Sequence, residues 1–315
     1  MSHVSVVKGD DRYGNIKKAL HLIVDDFKKA QLKGKSVLVK VNLVSDSVEL
    51  STVHVDAVKA VIDFIQPFEP GKIIIAECSA KGYNTWKAFE RFGYKALEKE
   101  YGNVELLNIG EDNFDIINFA TLDGHGKMVK ISRTAKNCDY KLSVARAKTH
   151  DHVICTGSMK NMLGCILVPD QVWLHGDKVE HEEPLEIARK SNWIACKNIV
   201  KLMEIIKPDV SVIDGFVGME GDGPVDGSPV DLRTAIASTD CVAADAVMAK
   251  IMGFSPLEIS YIYLCNRKGI GKGDLKDIKI IGDSPEKVKI EFTPHSNYKS
   301  TQIYWKKYAE LEDFF

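Results

Sequence analysis

Short runs rich in valine and isoleucine alternate with helix-length amphipathic stretches along most of the chain, the pattern of parallel strands covered by helices on both faces. The apolar runs predict strands at His3–Val7, Ser36–Leu43, Lys72–Glu77, Val104–Asn108, Lys141–Ala145, Val210–Asp214, Thr234–Ala237 and Ile278–Gly282. Helices are predicted between them over Asn15–Ala30, Thr52–Gln66, Trp86–Glu100, Leu185–Ile206, Val242–Gly253 and Pro256–Arg267. Asp240 or Cys241 suits the cap of the fifth helix, and Gly253 suits its end. Asp112 to Ala135 reads instead as two short strands around the turn Asp123-Gly124-His125-Gly126, a hairpin appended to the sheet.

The expected fold class is α/β: mostly parallel sheet or sheets with helices on both faces, in two lobes, plus an aromatic-rich C-terminal helix. Residues 1–137 form the N-terminal lobe with its hairpin, 138–282 the C-terminal lobe carrying the main site, and 283–315 a docking segment. That last segment holds Phe292, Tyr298, Tyr304, Trp305, Tyr308, Phe314 and Phe315, too many aromatics for a disordered tail. Tyr304, Tyr308, Leu311 and Phe315 fall at helical spacing, so the helix is expected to pack on the body or on another subunit.

With Lys+Arg 42 against Asp+Glu 44, the net charge of -2 provides no global field for a nucleic-acid backbone or an anionic membrane. Any anion site must be local. No stretch of about 18 uncharged apolar residues occurs, and the N-terminus lacks the pattern of a secretory signal, so a cytoplasmic protein with no nucleic-acid or membrane partner is expected. The seven cysteines, at 78, 138, 155, 165, 196, 241 and 265, form no CxxC pair. They read as reduced, buried thiols with no intrinsic iron–sulfur motif.

The densest polar constellation runs from Arg146 through Lys148, Thr149, His150, Asp151 and His152 into Thr156-Gly157-Ser158-Met159-Lys160-Asn161. It begins as an apolar strand and turns polar at the carboxyl end, where open α/β sheets place their ligands. Gly157 and Ser158 look like a helix start that admits an anion; with Lys148, Lys160 and Asn161 they suit a carboxylate or phosphate. His150 and His152 are two apart, so an extended backbone turns both imidazoles to one side, where a divalent metal is an open possibility. His54, just before a helix, is a third candidate ligand. His175 and His181 belong to a following loop, expected to be solvated.

A second constellation, Asp214 to Pro229, packs glycines among Glu220, Asp222 and Asp226, and reads as a ligand-cradling loop in which Gly221 and Gly223 approach the ligand. It is not a dinucleotide fingerprint, because Gly221, Gly223 and Gly227 give GxGxxxG and run into Pro224. Asp214 and Glu220 are candidates for a base or a hard-cation ligand. Lys40 and Asn42 end one strand and Glu77 another; if these strands are neighbours, they share a rim with Lys148 and His150.

These segments resemble the family catalogued as domain of unknown function 362. The resemblance rests on Lys40-Val41-Asn42, Thr52-Val53-His54, Ala147-Lys148-Thr149-His150, Thr156-Gly157-Ser158-Met159-Lys160-Asn161, Asp214-Gly215-Phe216-Val217-Gly218-Met219-Glu220 and Ser238-Thr239-Asp240 through Asp245, covering about Val4 to Gly282. Many relatives join this domain to ferredoxin-like iron–sulfur modules, which implies redox work for those proteins; this chain lacks the clustered cysteines. A more distant similarity is to the nickel-pincer lactate racemases, whose sites use histidines and a lysine around an unusual nucleotide.

The expectation is an enzyme on a small anionic metabolite, by redox or isomerisation chemistry with or without a metal. Lys148, Lys160 and Asn161 would hold the anion, His150 would act as acid/base at its ordinary pKa, and Glu220 or Asp214 would position it. The alternative is a non-catalytic metal- or cofactor-binding module serving a redox partner. In either case an electron-transfer protein or a second copy would dock through the C-terminal segment.

Overall fold

The strand Tyr140–His150 buries all but one of its residues, as a strand covered on both faces must. It lies at the centre of the sheet. The computed structural model describes residues 1–28, 31–176 and 183–311. His181, Phe314, Phe315 and the last residues of the predicted helix Asn15–Ala30 fall outside them.

Among the described residues eleven strands are formed: β1 (Ser2–Lys8), β2 (Ser36–Lys40), β3 (Lys72–Glu77), β4 (Val104–Asn108), β5 (Phe114–Phe119), β6 (Lys127–Ser132), β7 (Tyr140–His150), β8 (Ile154–Thr156), β9 (Val210–Glu220), β10 (Ser228–Ser238) and β11 (Ile278–Gly282). The main sheet runs β11-β1-β10-β9-β7-β2-β3-β4, with β8 folded back on β7, and β5-β6 stand apart as the expected hairpin. Pairing is parallel from β9 through β4 and between β1 and β11, but antiparallel where β10 meets β9 and β1. This is a mostly parallel mixed sheet with helices, an α/β fold.

Each face of the sheet carries its own core. Val37, Val39, Leu142, Val144 and Val212 pack with the helices Arg12–Leu22 and Val55–Ile65 on one side. On the other, Leu38, Ile74, Ile213 and Ile236 pack with Pro184–Ile206, Cys241–Ile251 and Ser260–Arg267. Alternate side chains of one strand point to opposite faces, so Leu38 and its neighbours Val37 and Val39 part company.

The sheet does not divide at Asn137. β2 pairs with β7 from Val37↔Tyr140 to Lys40↔Ser143, and β1 crosses to the far side to pair with β10 and β11, so the two expected lobes share one continuous sheet. Local physics accounts for the shifted element ends. The helix predicted over Trp86–Glu100 breaks into Thr85–Arg91 and Lys95–Glu100, because the chain turns through Gly93 at φ +83. Asp240 caps the helix Cys241–Ile251 by accepting from the amides of Val242 and Ala243.

The largest departure is in the glycine-rich segment. β9 continues to Glu220 and returns as β10 from Ser228, so most of the expected loop is a β-hairpin arm. Its glycines make room for packing: a Cβ on Gly218 would lie 2.8 Å from Cζ of the buried Phe292. Of the described C-terminal aromatics, Phe292, Trp305 and Tyr308 are buried against this chain itself. Trp305 stacks on Trp193 at 6.4 Å, and Tyr308 donates its hydroxyl to Glu186. Gly218→Ala is therefore expected to destabilise the protein by about 1–3 kcal/mol through overpacking. Urea denaturation measures this, and an unchanged midpoint would mean that Phe292 is not held against β9.

Candidate functional site

The chain leaves β2 for β3 and β4 on one side and returns through β7 on the other, so the strand order reverses between β2 and β7. In open α/β sheets such a reversal opens a crevice beyond the carboxyl ends of the strands. A cavity of about 410 Å³ lies there, lined by Asn42, Glu77, Arg146, Lys148, His150, Asp151, Thr156, Gly157, Lys160, Asn161 and His175 among others. Seven of the residues anticipated from sequence meet at this one crevice.

Its floor is a buried polar network. Lys40 Nζ donates to Glu77 Oε1 at 2.8 Å, to its neighbour Val41 O at 2.7 Å and to Asn161 Oδ1 at 3.3 Å. Glu77 also accepts from the amides of Leu43 and Cys78, while the Asn161 amide donates to Lys40 O and Ser143 Oγ. Burial pushes the Glu77 carboxyl up, and Lys40 opposes that shift. Lys40 and Asn161 thus tie the ends of β2, β3 and β7 to the turn that follows β8. Lys40 lies beneath the cavity, not in it.

Lys148 reaches the cavity, but its Nζ donates to Asn42 Oδ1 at 2.8 Å and Ser51 O at 2.7 Å. Burial, with repulsion from Arg146 and Lys160, holds its pKa well below the usual lysine value. Arg146 likewise donates to the carbonyls of Thr52 and Val217. Neither makes an ion pair among the described residues.

The helix start at Gly157–Ser158 is filled from within. The buried Asp245 carboxylate accepts from the amides of Ser158, at 2.7 Å, and Met159, at 3.1 Å. A Cβ on Gly157 would stand 2.4 Å from that carboxylate, which accounts for the glycine. Ser158 is fully buried with its hydroxyl 2.5 Å from that of Ser211, so neither it nor the helix start is open to an external anion. Burial raises Asp245 to about 7 against the pull of the two amides. A lone carboxylate in the apolar helix CVAADAVMAKI was the sequence signal for this role, and sequence reasoning missed it.

Lys160 projects from that turn into the cavity, with no hydrogen bond or ion pair among the described residues. Burial pushes it down to about 8, with Asp151 pulling the other way. His150 stands close by; burial, and then the Lys160 ammonium, push its imidazole down to about 3. Its Nδ1 accepts from the His152 amide at 3.0 Å and stands 2.8 Å from Asp151 Oδ1, a carboxylate that pulls the imidazole the other way. This corrects the expectation of an imidazole titrating at its ordinary pKa.

His152 turns from the cavity, its Nδ1 2.8 Å from Asn192 Oδ1, and stacks on His175 at 3.7 Å. His175, expected in a solvated loop, lines the cavity with its Nδ1 buried and unpartnered. His54 instead caps the helix Val55–Ile65 by accepting from Asp56 N. The three proposed metal ligands are therefore not assembled, and among the described residues no group of three or more His, Cys, Asp or Glu side chains is arranged to hold a metal ion.

The acidic candidates also lie elsewhere. Asp214 is buried in an ion pair with Arg12, and Glu220 accepts from the Thr293 amide at 2.7 Å. Gly221 turns the hairpin at φ +74, and Gly223 presses on the Thr149 carbonyl, leaving Pro224 as the hairpin's contribution to the cavity wall.

The chain is 26% identical over 215 residues to the Thylakoid-associated protein sll1697 of Synechocystis sp., a match covering 68% of this chain and 61% of that protein. It therefore spans less than two thirds of that relative's length. Among solved structures it is similar to the lactate racemase apoprotein from Thermoanaerobacterium thermosaccharolyticum, with a TM-score of 0.47 and 15% identity over 80% of this chain and 57% of that one. A Thermotoga maritima protein gives a TM-score of 0.41 and 16% identity over 71% and 55% of the two chains. None of the described helices is long and apolar enough to cross a membrane. Residues 37–250 match the family described as Domain of unknown function (DUF362), and by that match the chain belongs to this family.

Proposed function

We propose that the crevice between β2 and β7 binds a small organic anion and catalyses proton transfer next to the bound anionic group, a step that isomerisation and redox reactions share. One observation carries this reading: Lys160 faces a recessed cavity with no anionic partner in contact, beside Arg146 and Lys148, which contact only neutral acceptors. Elsewhere in the interior a cation is paired, as Lys40 is with Glu77 and Arg12 with Asp214. Asp151 draws on Lys160 without an ion-pair contact; a half-buried cation with no such contact is unfavourable, and an anionic ligand would relieve it.

Lys160 is the anion contact in this reading, replacing the larger set of Lys148, Asn161 and the helix start. His150 is the imidazole beside it, and His175 lines the same cavity. A bound negative charge favours the protonated forms of both Lys160 and His150, so binding draws a proton from solvent into the site. The proton then sits within the cavity, where it can be transferred.

The same charge imbalance has a stability consequence. Lys160 is lowered from 10.5 to about 8, so between these values the unfolded chain binds more protons than the folded one, and the Lys160 contribution to stability improves as pH rises through that window. Below it the penalty is complete. Lys160→Met is therefore expected to stabilise the free protein by about 1–3 kcal/mol at pH 7, an advantage that fades by about pH 11. Urea denaturation of both proteins across this range measures it; a variant less stable than its parent at pH 7 contradicts the charge argument.

Titration calorimetry with succinate and inorganic phosphate, in two buffers of different ionisation enthalpy at about pH 8, tests the ligand class. Binding with net proton uptake is expected, and Lys160→Met should weaken it at least tenfold. Affinity indifferent to that substitution, or no binding of either probe, would refute the reading.

A further inference from the structure

We infer that Asn297 and Gln302 are positioning residues: side chains of a C-terminal strap that holds the His150–His152 turn, and with it the cavity's imidazole, in place. Gln302 Nε2 donates to the backbone carbonyl of His150 at 2.7 Å, and Asn297 Nδ2 donates to that of Asp151 at 2.7 Å. The two amides also bond to each other, Gln302 Nε2 to Asn297 Oδ1 at 2.8 Å. Two consecutive carbonyls at the end of β7 are thus satisfied by side chains far along the chain, outside the family match that ends at residue 250.

The turn needs such a hold. β8 folds back antiparallel on β7 immediately after Asp151–Val153, and Ile154 adopts φ +69 to allow it. A β-branched residue in the left-handed region is strained, and strain of this kind persists only where surrounding contacts over-determine the backbone. The strap supplies contacts from one side while pairing with β8 supplies them from the other.

The strap is itself anchored at both ends. Before it, Phe292 sits against Gly218, its amide donates to Met252 O, and Thr293 exchanges backbone bonds with the hairpin arm through Glu220 Oε2 and the Gly221 amide. Asp222 Oδ1 accepts from the Ser296 amide at 3.0 Å. After it, Trp305 donates Nε1 to Glu258 O and stacks on Trp193. Glu220 and Asp222, which the sequence suggested as a base or cation ligands, instead fasten this strap.

The inference rests on the proposed function only in treating His150 as a working group of the site. Its test reads the imidazole directly: histidine ring titrations by NMR on the full chain, with His150 assigned through His150→Gln, for the parent, Gln302→Met and Asn297→Ala. Gln302→Met keeps the length of the side chain, adds no charge and removes the donor to the His150 carbonyl; Asn297→Ala removes the bond to Asp151. In the parent the ring stays neutral at pH 5 and above, titrating near 3. Each folded variant is expected to raise that midpoint by about one pH unit or more, as the loosened turn admits water, and to weaken succinate binding about three- to tenfold. A midpoint unchanged in the folded variants would overturn the strap, even if their urea midpoints fall, because a merely structural role predicts only the latter. If Gln302→Met does not fold, the less buried Asn297→Ala decides alone. A shifted titration in a parent that binds neither probe upholds the strap and rejects the anion reading.

Discussion

A single buried ammonium–carboxylate contact, Lys40 to Glu77, is the constraint on which the site depends. It joins the carboxyl ends of two adjacent parallel strands, and through Asn161 it captures the turn after β8 as well. Breaking such a pair leaves a charge uncompensated in a low-dielectric interior, so neither partner is free to serve a ligand. The crevice wall is consequently stiff. Glycine at 164 is part of the same arrangement, because a Cβ there would lie 2.2 Å from Glu77 Oε1 and 2.5 Å from Lys40 Nζ.

The site is best understood by asking which polar groups the fold has already satisfied. Asp245 fills the helix start, Asn42 and the Ser51 carbonyl take up Lys148, and carbonyls of Thr52 and Val217 hold Arg146. What remains at the cavity without a hydrogen-bond partner is concentrated at Lys160, His175 and Asp151 Oδ1. Among the described residues Asp151 is thus the one lining carboxylate that faces the cluster of cations, while Glu77 is engaged by Lys40. The lowered pKa values of Lys148, Lys160 and His150 have burial as their first cause; repulsion between cations comes second for Lys148 and His150, while Asp151 pulls Lys160 the other way.

Distant parts of the chain meet at the turn after β7. The β9–β10 arm rises past the sheet, fastens the segment after Phe292, and that segment returns two side-chain amides to the carbonyls of His150 and Asp151. Core packing and site geometry are therefore coupled through Gly218, Phe292 and Trp305.

Local pattern was enough for the α/β class, the order of most elements, the hairpin at β5–β6 and the placing of chemistry at strand ends, because hydrophobic periodicity and capping are properties of neighbouring residues. It also drew Lys40, Asn42 and Glu77 toward one rim with Lys148 and His150 on the condition that their strands are neighbours, since parallel strands ending in polar groups share an edge of the sheet; the cavity lining holds all of these but Lys40. It did not distinguish ligand-facing groups from those consumed internally. Whether Lys40 is free or paired, whether Gly157 admits a substrate or Asp245, and whether Glu220 meets a cation or the Thr293 amide depends on side chains tens to hundreds of positions away. Those partnerships, the continuity of the sheet across Asn137, and the withdrawal of His54 from the imidazole cluster were decided by tertiary structure, because burial and long-range hydrogen bonding have no local signature in the chain.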